Sequence, residues 1–126
     1  MVSDWRDLSV LIAGCGSIGK RHARVLRQLG VRDLRACDPV SSQREGLKTQ
    51  VPGVSLYDSF EQALADQPDA VLIGTPPKMH IPMSIAALRN GANVLCEKPL
   101  SDSLEGVDEL ARISHEGSSK KPLHLA

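Results

Sequence analysis

Aromatic side chains are almost missing from this chain of 126 residues: Trp5, Tyr57 and Phe60 are the whole set. A core built without them must be aliphatic, and Val, Ile, Leu and Ala suit a parallel sheet covered on both faces. Net charge is missing too. Lys plus Arg (15) equals Asp plus Glu (15), which leaves no basic excess for a nucleic acid. Cysteine is scarce. Cys15, Cys37 and Cys96 form no C-x-x-C pair, and each sits at or next to the end of an apolar run. They read as small buried thiols in a reducing compartment, not as a metal site or a disulfide. No apolar run reaches the ~18 residues of a membrane span. Asp4, Arg6 and Asp7 crowd an N-terminus without an apolar core, which argues against a secretory leader. These absences point to a cytoplasmic protein, and the length suits one domain over residues 1–126.

What is present is a glycine turn in a specific place. The apolar run Val10-Leu11-Ile12-Ala13 ends in Gly14-Cys15-Gly16-Ser17-Ile18-Gly19, a G-x-G-x-x-G between a strand-like and a helix-like segment. Gly14 can turn the chain sharply, Gly16 offers no Cβ to an approaching pyrophosphate, and Gly19 lets the helix lie close on the sheet. The free N–H groups at the start of that helix then face an anion. A second strand-like run, Leu34 to Cys37, ends at Asp38, nineteen positions after Gly19. An acidic residue at that spacing accepts hydrogen bonds from a ribose hydroxyl. A carboxylate there repels a 2′-phosphate, so the expected cofactor is NAD, with NADP disfavoured. The competing reading of Asp38-Pro39 is a plain turn.

The rest of the chain alternates. Strands are expected at 8–13, 34–37, 54–57, 70–73 and 94–96, and a sixth at 122–126. Helices are expected from Ser17 to Leu29 with Ile18, Val25, Leu26 and Leu29 as the inward side, and from a Ser41 or Ser42 cap to about Lys48. Others run from Asp58 or Ser59 to near Pro68, and from Lys78 to Asn90 with Pro82 in the first turn. A last helix, capped by Ser101 or Ser103, would bury Leu104, Val107, Leu110, Ala111 and Ile113, with a polar loop over 117–121 after it. This alternation predicts an α/β fold: a doubly wound parallel sheet, Rossmann-type, of about six strands in a single domain. On it, the glycine turn, Asp38, Thr75-Pro76-Pro77 and Glu97-Lys98-Pro99 all fall at carboxyl ends of strands, the edge where open α/β sheets bind ligands. His80 is either a capping or buried hydrogen-bonded histidine or a participant in chemistry. Lys98 is either a solvated surface lysine or, in a partly dry cleft, a group that holds an anionic or hydroxylated substrate or exchanges a proton with it.

GCGSIGKRH, then CDP, TPPKMH and GANVLCEKPLS, resemble the motif series of the Gfo/Idh/MocA oxidoreductases from about Leu8 to about Ala126. The resemblance implies hydride transfer between nicotinamide C4 and sugars, cyclitols or other polyols. It implies that Gly14, Cys15, Gly16, Ser17, Ile18 and Gly19 carry the pyrophosphate and that Asp38 holds the adenosine ribose. Thr75, Pro76, Pro77 and His80 would line the nicotinamide side, and Glu97 would contact the cofactor. Lys98, the catalytic candidate, would sit beside the nicotinamide and the reacting hydroxyl, oriented by Pro99. Family members are considerably longer, and their C-terminal α/β substrate domain has no counterpart here. His22, His115 and His124 match no motif that would supply a base. Three readings stay open: an incomplete dehydrogenase that binds cofactor with little turnover, a stand-alone NAD module completed by a partner chain or by self-association, and a nucleotide-binding or interaction protein without catalysis.

Overall fold

The computed structural model describes residues 4–98, 101 and 103–116. Within them lie five strands, β1 (Ser9–Ala13), β2 (Asp33–Cys37), β3 (Ser55–Tyr57), β4 (Ala70–Ile73) and β5 (Asn93–Cys96). The helices between and after them are α1 (Ser17–Gln28), α2 (Ser41–Gln50), α3 (Phe60–Ala65), α4 (Pro77–Arg89) and α5 (Val107–Glu116). All strand pairings are parallel, in the order β3-β2-β1-β4-β5. The expected doubly wound sheet is therefore present, with five strands described. The segments expected as a loop at 117–121 and a sixth strand at 122–126 lie outside the described residues.

Period-two alternation divides the core between the sheet's two faces. Leu11, Ala13, Val71, Ile73 and Val94 pack with α3, α4 and α5 through Ala63, Leu64, Ile81, Leu88, Leu110 and Ile113. Val10, Ile12, Leu34, Ala36 and Leu72 point the other way, onto Ala23 of α1 and Leu47 of α2. A brace holds the amino-terminal edge. Asp69 Oδ2 accepts from the Ser9 N–H (2.8 Å) and the Ser9 hydroxyl (3.1 Å), and the Asp69 N–H donates to the Ser9 carbonyl (3.0 Å).

The helices correct several expectations. The inward side of α1 is Gly19 and Ala23 with half-buried Leu26, whereas Ile18, Val25 and Leu29 are exposed. Size decides this: a Cβ on Gly19 would stand 1.8 Å from the Gly14 carbonyl oxygen, so only small residues fit beneath the helix. The N-cap of α2 is Val40, not a serine. Ser59 caps α3, its hydroxyl accepting from the Gln62 N–H at 3.3 Å. Because α4 begins at Pro77, Pro82 stands inside the helix and not in its first turn. It lies on the exposed side, where water can take the hydrogen bond its missing N–H gives up. Gly106 at φ +84° cannot continue a helix, so α5 starts only at Val107. Leu104 and Ala111 are consequently exposed, while Leu110 and Ile113 are buried.

Candidate functional site

The strand order reverses between β1 and β4, so their outgoing loops part and leave a crevice at the carboxyl edge. Two glycines form its floor. Gly14 has φ +100°, and a Cβ there would lie 2.8 Å from the Gly74 carbonyl oxygen. Gly16 is the N-cap of α1, with no side-chain cap and no atom within 4 Å of where its Cβ would be. The helix thus begins with N–H groups left for a ligand, beside space that a side chain would fill.

Asp38, directly after β2, reaches the same turn. Its Oδ2 accepts from the Cys15 N–H (2.9 Å) and its Oδ1 from the Val40 N–H (2.8 Å). Lys20 of α1 donates to the Cys15 carbonyl (2.6 Å) and to Gln43 Oε1 (2.7 Å), and Arg44 Nη1 donates to the Asp38 carbonyl (2.6 Å). These bonds fasten the glycine turn to the start of α2. A cleft of ≈ 370 Å³ opens here, lined by Gly14, Gly16, Asp38, Val40, Thr75 and Pro76 among others. Met79, Met83 and Phe60 extend its apolar wall. Sequence reasoning missed Val40, Gln43 and these two methionines. Val40 and Gln43 lie two and five positions past Asp38, a spacing readable in the sequence.

The thiols are inert in character. Burial pushes Cys15 up to about 11 and Cys37 up to about 12, and nearby Asp38 adds to both effects. Cys96 is raised as well, again chiefly by burial. All three are free, Cys15 and Cys37 buried and Cys96 only partly so. Among the described residues no group of three His, Cys, Asp or Glu side chains could hold a metal.

His80 is 1% exposed, with Nε2 2.6 Å from the Thr75 carbonyl oxygen. Of the two readings its position allowed, the structure shows the buried, hydrogen-bonded one: the ring supports the Thr75-Pro76-Pro77 turn from below. Pro77 is the first residue of α4, and Thr75 Oγ1 donates to Met83 Sδ at 3.3 Å. Glu97 and Lys98 follow β5 on the same edge, with Glu97 half-buried and Lys98 exposed. Pro99 lies outside the described residues. His22, the last residue of the GCGSIGKRH stretch, meets Glu97: its Nε2 contacts Glu97 Oε1.

The fold is shared with known proteins. A family model described as "Oxidoreductase family, NAD-binding Rossmann fold" matches residues 8–120. The chain belongs to the Gfo/Idh/MocA oxidoreductase family. Its fold is the NAD-binding one, and the crevice fits the cofactor: bare N–H groups for a pyrophosphate at α1, a carboxylate at β2 and an apolar cleft beyond it. The chain is 33% identical over 108 residues to an inositol 2-dehydrogenase of Rubrobacter xylanophilus, covering 83% of this chain and 31% of that protein. A second inositol 2-dehydrogenase, from Rhodococcus erythropolis, is 31% identical over 125 residues, 97% of this chain and 36% of that one. The crystal structure of myo-inositol 2-dehydrogenase from Lactobacillus plantarum superposes with a TM-score of 0.82 at 33% identity, over 95% of this chain and 36% of that chain. The structure of GenD2 in complex with NAD gives 0.78 at 29% identity, over 95% and 34%. This family member thus spans about a third of the length of the relatives it matches. No helix among its described residues is long and apolar enough to cross a membrane.

Proposed function

We propose that this domain holds NAD, in preference to NADP, for a dehydrogenase that moves a hydride to or from a sugar- or polyol-like substrate. The observation that carries the preference is the Asp38 carboxylate, fixed by two backbone N–H groups at the edge of the cleft. A 2′-phosphate brought there meets a like charge. The inositol dehydrogenases among its relatives support a cyclitol or similar polyol as the substrate class. When bound, NAD supplies the hydride-accepting ring. The chain's own residues divide the remaining work. The start of α1 binds the pyrophosphate, Thr75 to Pro77 and His80 shape the wall beside the ring, and exposed Lys98 holds the reacting hydroxyl. By itself the domain leaves that ring open to water, so we expect binding with little or no turnover. A substrate-holding part must then come from further chain, a separate chain or a second copy.

Calorimetric titration with NAD and NADP tests the reading, on protein of known mass in solution. Saturable NAD binding with weaker NADP binding is expected, and Asp38→Ser should narrow the gap. A gap that Asp38→Ser leaves intact removes the carboxylate argument. Binding of neither cofactor by a folded domain removes the reading as a whole.

A further inference from the structure

The contact between His22 and Glu97 has no part in the assignments above, and it joins two loops that chemistry needs in register. His22 lies on α1, little more than a turn beyond the phosphate-facing N–H groups. Glu97 lies two strands away, at the end of β5. Their side chains are 27% and 28% exposed, neither in the core nor in open solvent. Glu97 is held at its main chain as well. Its N–H donates to the Ile73 carbonyl at 3.0 Å, and its carbonyl accepts from the Cys96 thiol at 3.5 Å. Lys98 follows at once, exposed and without a hydrogen bond of its own among the described residues. The position of Lys98 therefore depends on that of Glu97, and among the described residues only His22 anchors the Glu97 side chain.

The direction of the cofactor gives this anchor a purpose. Asp38 and the apolar cleft would hold the adenosine half over β2, and the start of α1 the pyrophosphate. The nicotinamide half would then run across β4 towards β5, where Glu97 and Lys98 stand. We propose that His22 is a positioning residue: it holds Glu97, and through it the Lys98 turn, against the helix that receives the phosphates. This rests on the reading of the crevice as an NAD site.

The test compares NADH with ADP-ribose, which carries the adenosine and both phosphates but no nicotinamide. Dissociation constants are measured by titration calorimetry for the unmodified chain, His22→Ala, His22→Gln, Glu97→Ala and the double alanine variant, with melting temperatures alongside. His22→Ala should weaken NADH about tenfold, the effect of one lost positioned hydrogen bond to a charged group, and leave ADP-ribose unchanged. His22→Gln, whose amide can still donate to Glu97, should restore most of the loss. In the Glu97→Ala background His22→Ala should add nothing. Equal weakening of both ligands would make His22 a support of the helix alone and overturn the assignment. So would unchanged NADH binding by His22→Ala, or full additivity in the cycle. If the unmodified chain binds ADP-ribose and NADH equally, the nicotinamide half makes no contact at β5 and the assignment falls while the NAD site stands. If it binds neither, both fall.

Discussion

Gly16 and Gly19 look alike in the sequence and differ in what they do. Gly19 has a carbonyl oxygen 1.8 Å from its missing Cβ, so Gly19→Ala must push α1 off the sheet. Its expected cost is at least ~4 kcal/mol, or outright failure to fold. Gly16 has empty space and φ −73°, which any residue adopts. Gly16→Val should change stability by no more than about 1 kcal/mol and yet abolish NAD binding, because the side chain fills the place proposed for the phosphates. Urea titrations paired with calorimetry check both; a Gly16→Val protein that still binds NAD contradicts the cradle. The thiols give a pH prediction. Cys15 and Cys37 are held up to about 11 and about 12 in the fold, against an ordinary value of 9.0. Below pH 9 both states keep their protons and stability is unaffected. Above it the unfolded chain loses protons that the native chain retains, so stability falls as pH rises from 9 towards 12. Denaturation midpoints at pH 8 and pH 10.5 should show that fall, and Cys15→Ala with Cys37→Ala should flatten it.

Elements of this domain do separate jobs at opposite ends. The carboxyl ends of β1, β2, β4 and β5 carry the proposed site, while the amino end is tied by Ser9 and Asp69. Asp69→Ala leaves the Ser9 N–H without its acceptor, at an expected cost of about 1–3 kcal/mol. NAD affinity of the folded fraction should stay as it was; a matching loss of affinity would show that the two edges are coupled. On α1 the outward aliphatics are the opposite case. Val25 and Leu29 are 43% and 55% exposed, so Val25→Lys and Leu29→Lys should shift stability by less than about 0.5 kcal/mol.

At the scale of the whole molecule, much was legible because the α/β pattern is local. Strand runs bounded by glycine and proline, and acidic Asp38 at the right distance, need only neighbouring residues to be recognised. Periodicity misjudged α1 because it ranks positions by hydrophobicity, and here the sheet admits only what is small, Gly19 and Ala23. It also started the last helix too early, since the left-handed turn at Gly106 becomes visible only when that residue packs on Ile81. The His22–Glu97 contact spans 75 positions and leaves no local pattern at all.

The pairing of β1 with β4 sets a clock on the domain's assembly. Val10 lies beside Ala70, so the central strand waits for a partner 60 positions later while β2 can join it much sooner. During synthesis, the first three strands and their two helices can emerge with one side of β1 still bare. Gly14 has no Gly74 to meet until β4 arrives, and the crevice is completed only then. NAD present during synthesis would meet only part of its proposed site until that strand had joined, and would thereafter favour the completed sheet over any earlier arrangement.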